Sequence, residues 1–255
     1  MRRCAWRSWA GVLMLLAGCA TGQVDTSDTQ GLQARVDARL ALAQAYYADG
    51  KHEIALHEVE HVLRIAPRNA DALGIRGLVQ WQLGEPELAV ESLRRALRMQ
   101  PGSPELQNNL GWMLCESGQP VQGLVYLDNA LGQRRYASPE NAAMNAGLCS
   151  LRLSDRTRAD GYFRRALSFQ PMLTAAHTQL ARLAAERGDY AGARTRILKV
   201  LESGAASADD YAVAVGIERQ LGDRSAEQSL VSQWQRRFPD SPQLRAYQRG
   251  QIDVQ

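Results

Sequence analysis

Apolar and small residues recur along this chain at the spacing of helices. A small residue is followed four places later by a bulky one and three places after that by Ala or Val. Spacings of four and three put all three side chains on one face of an α-helix, whereas strands need strict alternation. Examples of the pattern are Ala55, Val59 and Val62; Ala89, Leu93 and Ala96; Ala159, Phe163 and Ala166; Ala193, Ile197 and Val200. An all-helical protein is predicted.

Glycine and proline repeat with a period of 34 residues. Glycine allows a left-handed turn between two helices at little cost, and proline ends the helix before it. Ser154 stands where one glycine is missing, and Arg135 and Ala205 stand where two prolines are missing. The periodic positions are Gly50, Gly84, Gly118, Gly188 and Gly222, with Pro67, Pro101, Pro171 and Pro239; two extra residues fall in the fourth period.

This period resembles the tetratricopeptide repeat (TPR), a pair of helices that stacks on its neighbours. Six repeats fill residues 36–241, and Ser241 begins a capping helix and tail over 242–255. The resemblance predicts an all-α superhelical solenoid of six repeats closed by a C-terminal capping helix. The repeats begin near Val36, Ala70, Pro104, Glu140, Thr174 and Ala208.

Residues 1–18 have the layout of a bacterial signal peptide. Arg2, Arg3 and Arg7 precede a short apolar run that is too short to span a bilayer. The sequence Leu16-Ala17-Gly18-Cys19 then resembles a lipobox, which implies cleavage before Cys19 and acylation of that cysteine. An ordinary secretory signal followed by a chance cysteine is the alternative.

Residue 20 is Ala and not Asp, which by resemblance to lipoprotein sorting implies export to the outer membrane. The expected location is therefore the periplasmic face of that membrane, held by the lipid anchor. Residues 19–35 are polar and are predicted to form a flexible tether after the lipidated cysteine.

The positive net charge does not indicate a nucleic-acid partner. The formal charge is +3, and the predicted signal peptide carries arginines but no acidic residue. The chain after Cys19 is therefore close to neutral, and no basic surface for nucleic acid is expected.

Residues 57–61 read HEVEH, the H-E-x-x-H pattern of zinc proteases. The repeat pattern places His57 and His61 on the outer side of a second helix, away from Val59. A zinc site needs a third protein ligand, and the positions of the metzincin continuation hold Arg64 and Pro67. We interpret the motif as two solvated histidines and expect no catalytic residue, metal, cofactor or small-molecule substrate.

In TPR proteins the first helices line a groove, and the resemblance assigns certain places of each repeat to it. Here the first four repeats have large apolar residues at the groove places. The last two repeats have small or polar residues there, such as Thr178, Arg182 and Gly216. These side chains are predicted to bind an extended or helical apolar segment, although the tryptophans could instead be core. The predicted groove residues are Tyr47, Leu78, Trp81, Trp112, Met144, Leu148 and Leu151.

Cys115 and Cys149 lie one repeat apart on neighbouring first helices. In the oxidising periplasm they are favoured to form a disulfide. Two buried free thiols are the alternative, because the cysteines occupy places two residues apart within their repeats.

Five stretches carry a narrower resemblance: NNLGWMLCESGQ (108–119), NAGLCSLRL (145–153), YFRRALSFQP (162–171), GIERQLGD (216–223) and RRFPDSPQ (236–243). In these stretches the chain resembles the PilF/PilW-type pilotins, the lipoproteins of type IV pilus biogenesis and stability. The resemblance implies binding of secretin subunits in the groove and help in bringing them to the outer membrane. Ser154 and Gly123 depart from the repeat pattern without threatening the fold. A TPR scaffold of another cell-envelope machine is the alternative function, and a zinc hydrolase a remote one.

Overall fold

The computed structural model describes residues 26–250, and this part of the chain contains α-helices and no strand. None of its helices is long and apolar enough to cross a membrane. The helices are α1 (Thr26–Ala48), α2 (His52–Ile65), α3 (Ala70–Gln82), α4 (Pro86–Met99), α5 (Pro104–Glu116), α6 (Pro120–Leu131), α7 (Pro139–Arg152), α8 (Arg156–Phe169), α9 (Thr174–Glu186), α10 (Tyr190–Glu202), α11 (Ala208–Leu221), α12 (Arg224–Arg237) and α13 (Pro242–Gln248).

Residues 39–250 form one compact unit, a solenoid of helix pairs, and the described residues up to Ala38 belong to another. In the solenoid, each first helix from α3 to α11 packs on the second helix of its own repeat, and each second helix packs on the first helix of the next repeat. The helices α3, α5, α9 and α11 begin at the predicted repeat starts, and α7 begins one residue early. The predicted all-α repeat architecture is confirmed.

The helices end at the turn residues that the sequence pattern predicts. The five periodic glycines have positive φ, and so does Ser154, with φ 58°. Ser154 therefore adopts the left-handed conformation of the glycine that it replaces, at some cost in strain. At the end of the chain, Ser241 Oγ accepts a hydrogen bond from Leu244 N and caps α13.

The two helices of a repeat are held together by a small residue on the first helix that faces a larger one on the second. A Cβ added at Gly77, Gly111 or Gly147 would collide with Leu93, Leu127 or Phe163, respectively. The sizes at these places are complementary in two other repeats as well. There the pairs at the same places are Ala43 with Val59 and Ala181 with Ile197, whereas the sixth repeat has two valines, Val215 and Val231.

The connection between the third and fourth repeats is irregular. Residues 132–138 separate α6 from α7, whereas 100–103 and 170–173 are sufficient between other repeats. Tyr136 packs from this connection onto the core below it. Burial, with the nearby charges of Glu105 and Glu140, raises the pKa of Tyr136 to about 12. The phenol is thus neutral at physiological pH, as its packed position requires.

The predicted tether is wrong over residues 26–35, which belong to α1. Gln33 Nε2 donates to Asp37 Oδ1 at 2.7 Å, and Arg35 Nε donates to the Gly31 carbonyl at 3.2 Å. The polar composition of this segment indicates that it buries little surface, but polar residues can still be helical. The first helix α1 therefore begins at Thr26, before the repeat itself. Residues 19–25 and Cys19 lie outside the described residues.

The small-to-large pairing predicts that Gly147→Ala destabilises the protein although alanine is the better helix former. The new methyl group would collide with the buried Phe163 ring, and such overpacking costs about 1 to 3 kcal/mol. Thermal or urea unfolding of the mature chain measures the loss.

Gly161→Ala is the matched control, because Gly161 lies in α8 with open space where its Cβ would stand. That change should stabilise the protein by about 0.5 to 1 kcal/mol. Adding Phe163→Ile to Gly147→Ala copies the Ala181 and Ile197 pair and should recover part of the loss. Equal effects of the two glycine substitutions would contradict the pairing.

Candidate functional site

The seven predicted groove residues are all half-buried. They lie on the first helices α1, α3, α5 and α7, one to three on each. A half-buried apolar side chain is held in place by the core and still offers part of its surface to a partner. The structure thus places these residues between the core and solvent, the position that a binding surface requires.

Trp81 and Trp112 contact each other across neighbouring repeats. Their ring centroids are 5.1 Å apart and the planes are tilted by 57°. This tilted arrangement is favourable between aromatic rings, and each ring limits the rotamers of the other. The pair is therefore a preformed aromatic patch that is only partly covered by the protein itself.

The aliphatic part of the site continues on α7. Met144, Leu148 and Leu151 all pack against a buried cluster that includes Phe163 and Leu180. Their exposed parts extend the apolar surface from the third repeat to the fourth.

Tyr47 is the most isolated of the seven. Its ring packs on His52, with the centroids 5.6 Å apart. This contact joins the end of α1 to the start of α2, so Tyr47 also stabilises the turn at Gly50.

Other predicted groove places belong to the core. Leu40 and Ala212 are buried, and so are two polar side chains that satisfy each other or a neighbour. Asn108 Oδ1 accepts from Asn145 Nδ2 at 2.9 Å. Thr178 Oγ1 donates to Asp210 Oδ1 at 2.6 Å. Position within a repeat therefore did not separate groove from core, because burial depends on which neighbours cover each side chain.

A disulfide joins Cys115 on α5 to Cys149 on α7, with Cα atoms 5.5 Å apart. Both cysteines are almost completely buried. A Cβ at position 123 would collide with Cys115 Sγ, which explains why Gly123 stands where the repeat pattern has a small Ala. The cross-link lies beside the groove, since Cys149 follows Leu148 directly and Cys115 is one turn from Trp112.

A second cleft, not expected from the sequence, lies in the last two repeats. It has a volume of about 550 Å³, with Val213, Gly216 and Ile217 among its lining residues. At its edge Arg182 pairs with Asp209 at 2.7 Å. The sequence feature that could have predicted this cleft is Gly216 at a groove place, because a residue without a side chain on α11 leaves open space.

The HEVEH segment is not arranged as a zinc protease site. Glu58, the would-be general base, forms an ion pair with Arg39 at 2.5 Å. His57 is exposed, but the prediction that His61 also points to solvent is wrong, since it is half-buried and its Nδ1 is enclosed. His61 directly precedes the buried Val62 on α2, so its side chain lies at the edge of the packed face. Within residues 26–250, no three His, Cys, Asp or Glu side chains are grouped to hold a metal.

Comparison with known proteins agrees with this geometry. Tetratricopeptide-repeat models match residues 40–104 and 174–198. The type IV pilus assembly protein PilF of Pseudomonas aeruginosa is 26% identical over 94% of this chain and 97% of its own length. The crystal structure of PilW, a widely conserved type IV pilus biogenesis factor, is 30% identical, with a TM-score of 0.77 over 84% of this chain and 98% of that one.

The chain belongs to the PilF/PilW family. The solved structure of Pseudomonas aeruginosa PilF also superposes with a TM-score of 0.77, at 25% identity over 86% of this chain and 99% of that one. This chain is therefore a TPR protein of the PilF/PilW type, related over almost its whole length to type IV pilus biogenesis factors.

The buried cross-link predicts that thiol labelling of the denatured, unreduced mature chain modifies neither Cys115 nor Cys149. Replacing both cysteines by serine should lower the free energy of unfolding by about 3 to 4 kcal/mol, the chain-entropy value for a loop of this length. Mass spectrometry and chemical denaturation measure the two effects.

Reduction before labelling is the control and should expose both thiols. Two reactive thiols without reduction, or a double variant as stable as the original, would contradict the cross-link.

Proposed function

We propose that this protein is an outer-membrane lipoprotein of the pilotin class that acts in type IV pilus assembly. It binds secretin subunits through the groove of the first four repeats and promotes their localisation to the outer membrane and their multimerisation. The observation that carries the proposal is the half-exposed Trp81 and Trp112 pair, continued by the apolar residues of α7, in a member of the PilF/PilW family.

The groove is suited to an apolar segment. Its aromatic rings are large and rigid, so a partner can bury much surface with little loss of side-chain entropy. Its seven predicted residues carry no charge, so no charged group of the site has to be desolvated on binding. An extended or helical segment of a secretin subunit with apolar side chains fits this chemistry.

The anchor is the second part of the proposal. Acylated Cys19 would hold the protein on the periplasmic face of the outer membrane, which is where secretin channels must assemble. Several acyl chains bind a bilayer far more firmly than one chain does. The support for this part is the predicted signal peptide and the lipobox-like sequence before Cys19.

The competing hypothesis is a TPR scaffold for another cell-envelope machine, because a repeat fold by itself does not specify its partner. The family relationship favours the pilus. Loss of secretin multimers in a deletion strain separates the two, since a scaffold of another machine would leave them intact. Hydrolysis at HEVEH is disfavoured by the ion pair of Glu58 with Arg39.

Trp81→Ala is predicted to weaken secretin binding by at least about thirtyfold and to reduce piliation. Truncation of a central aromatic anchor commonly costs about 2 kcal/mol or more. Binding of purified mature protein to secretin subunits and counts of surface pili measure the effect.

Leu88→Ala is the matched control, because Leu88 is a large exposed side chain on the second helix α4. It should leave binding unchanged, as should the double change His57→Ala and His61→Ala. Thermal melting must show that each variant is folded, since Trp81 also packs on Trp112. An essential histidine pair combined with a harmless, folded Trp81→Ala would overturn the groove hypothesis.

Cys19→Ala should leave the protein folded but without a lipid anchor. The repeats bury their core among themselves, so their melting temperature should not change. Membrane fractionation should move the variant from the outer-membrane fraction to the soluble periplasm. Outer-membrane association of the purified variant on its own would contradict the lipobox.

A further inference from the structure

Another open site, distinct from the groove and from the cleft at Val213, lies between the second helices α4 and α6, with α5 as its floor. Its volume is about 420 Å³. Leu110 is two residues from Trp112 on α5, or about 200° around the helix, so this cleft is on the other side of α5 from the groove. Its lining is Arg94, Leu97, Arg98, Pro101, Gln107, Leu110, Tyr126 and Asn129, and includes no acidic residue.

The next repeat interface shows how such a cleft is filled by the protein itself. There Asp128 Oδ1 accepts from the Tyr162 hydroxyl at 2.5 Å, and Asp128 Oδ2 pairs with Arg158 at 3.1 Å. Arg165 crosses the same interface and donates to the Leu131 carbonyl at 3.1 Å. Burial and the hydrogen bond to Asp128 raise the pKa of Tyr162, so its hydroxyl keeps the proton that it donates.

The corresponding places at the open cleft keep the tyrosine but lose the acid. Tyr126 precedes Tyr162 by one repeat of 36 residues, and Arg94 precedes Asp128 by one of 34. The long side chain of Arg165 is replaced by the shorter Asn129. The cleft is thus a repeat interface whose carboxylate and whose filling side chain are both missing.

Several polar groups around the cleft have no partner within residues 26–250. Within residues 26–250, the side chains of Arg94, Arg98 and Tyr126 form no ion pair or hydrogen bond with another residue. Gln107 is 8% exposed, and its Nε2 donates to the Pro101 carbonyl at 2.8 Å. Because that carbonyl can only accept, the amide orientation is fixed, and Gln107 Oε1 is left buried without a donor.

We propose that this cleft binds the carboxylate of an acidic residue in a segment of a partner protein. The carboxylate pairs with Arg94 and Arg98 and accepts from the Tyr126 hydroxyl, as Asp128 accepts from Tyr162 one repeat later. A backbone N–H of the segment donates to Gln107 Oε1. Leu97 and Leu110 supply an apolar wall for a neighbouring aliphatic side chain.

Charge complementarity favours a carboxylate as the occupant of this cleft. Two guanidinium groups one helical turn apart, with no acid in the lining, favour an anion. The filled interface uses a carboxylate in the equivalent position, and the orphaned amide oxygen calls for a peptide-like donor, which inorganic phosphate at neutral pH supplies poorly. The site does not depend on what the groove binds.

The test is a titration of the mature chain with the peptide N-acetyl-Leu-Glu-N-methylamide, followed by NMR of the arginine Nε and tyrosine ring signals. Saturable shifts at Arg94, Arg98 and Tyr126 are expected. The same peptide with Gln in place of Glu should bind at least about tenfold more weakly, because it lacks the charge that the arginines recognise.

Arg94→Gln and Arg98→Gln should each weaken binding by roughly five- to tenfold, since each removes one charge-assisted contact. Arg224→Gln is the matched control, an exposed arginine on α12 outside the cleft, and should have no effect. Arg94→Asp should abolish binding and leave the protein folded, because the new acid can pair with Tyr126 as Asp128 does with Tyr162.

Equal binding of the Glu and Gln peptides, or the absence of saturable shifts at these residues, would overturn the proposal. So would binding that Arg94→Gln and Arg98→Gln leave unchanged. Inorganic phosphate that competes with the Glu peptide at equal concentration would show a general anion site instead of one for an acidic segment.

Discussion

The close approach of the two helices in each repeat is the constraint on which the rest of the structure depends. It requires a small residue where a larger one from the second helix presses in, as at Gly111 with Leu127 and Gly147 with Phe163. This pairing fixes the rotation of each first helix. The next residue, Trp112 or Leu148, is thereby turned toward the groove, so one packing contact determines which side chains a partner can reach.

The third and fourth repeats carry four of the seven predicted groove residues, and their junction has the longest connection described above. The disulfide between Cys115 and Cys149 crosses this junction and limits how far α5 and α7 can move apart. Gly123 completes the arrangement by leaving room for the Cys115 sulfur. We infer that the cross-link keeps the aromatic and aliphatic parts of the groove in one surface, at the place where loop geometry alone would hold them least well.

The repeat period was enough to predict the fold, because turns, helix ends and packing pairs recur at the same places. Even Ser154 adopts the left-handed backbone of the glycine that it replaces. Features that occur once could not be predicted in this way. The extension of α1 before residue 36 and the burial of His61 depend on local context, and the clefts at Val213 and at Tyr126 depend on neighbours in other repeats. Periodicity identified the groove places, whereas the packing around each place decided which of them are covered: Leu40 is buried, and Leu148, of the same length, is not.

Site-specific photo-crosslinking in cells tests the central claim, that the face of the first helices binds secretin. A photoreactive phenylalanine analogue at position 148, beside the disulfide, should crosslink to secretin subunits, because Leu148 is half-exposed on that face. The same analogue at position 88 on α4 should not. Crosslinks to secretin from position 88 and none from position 148 would contradict the account.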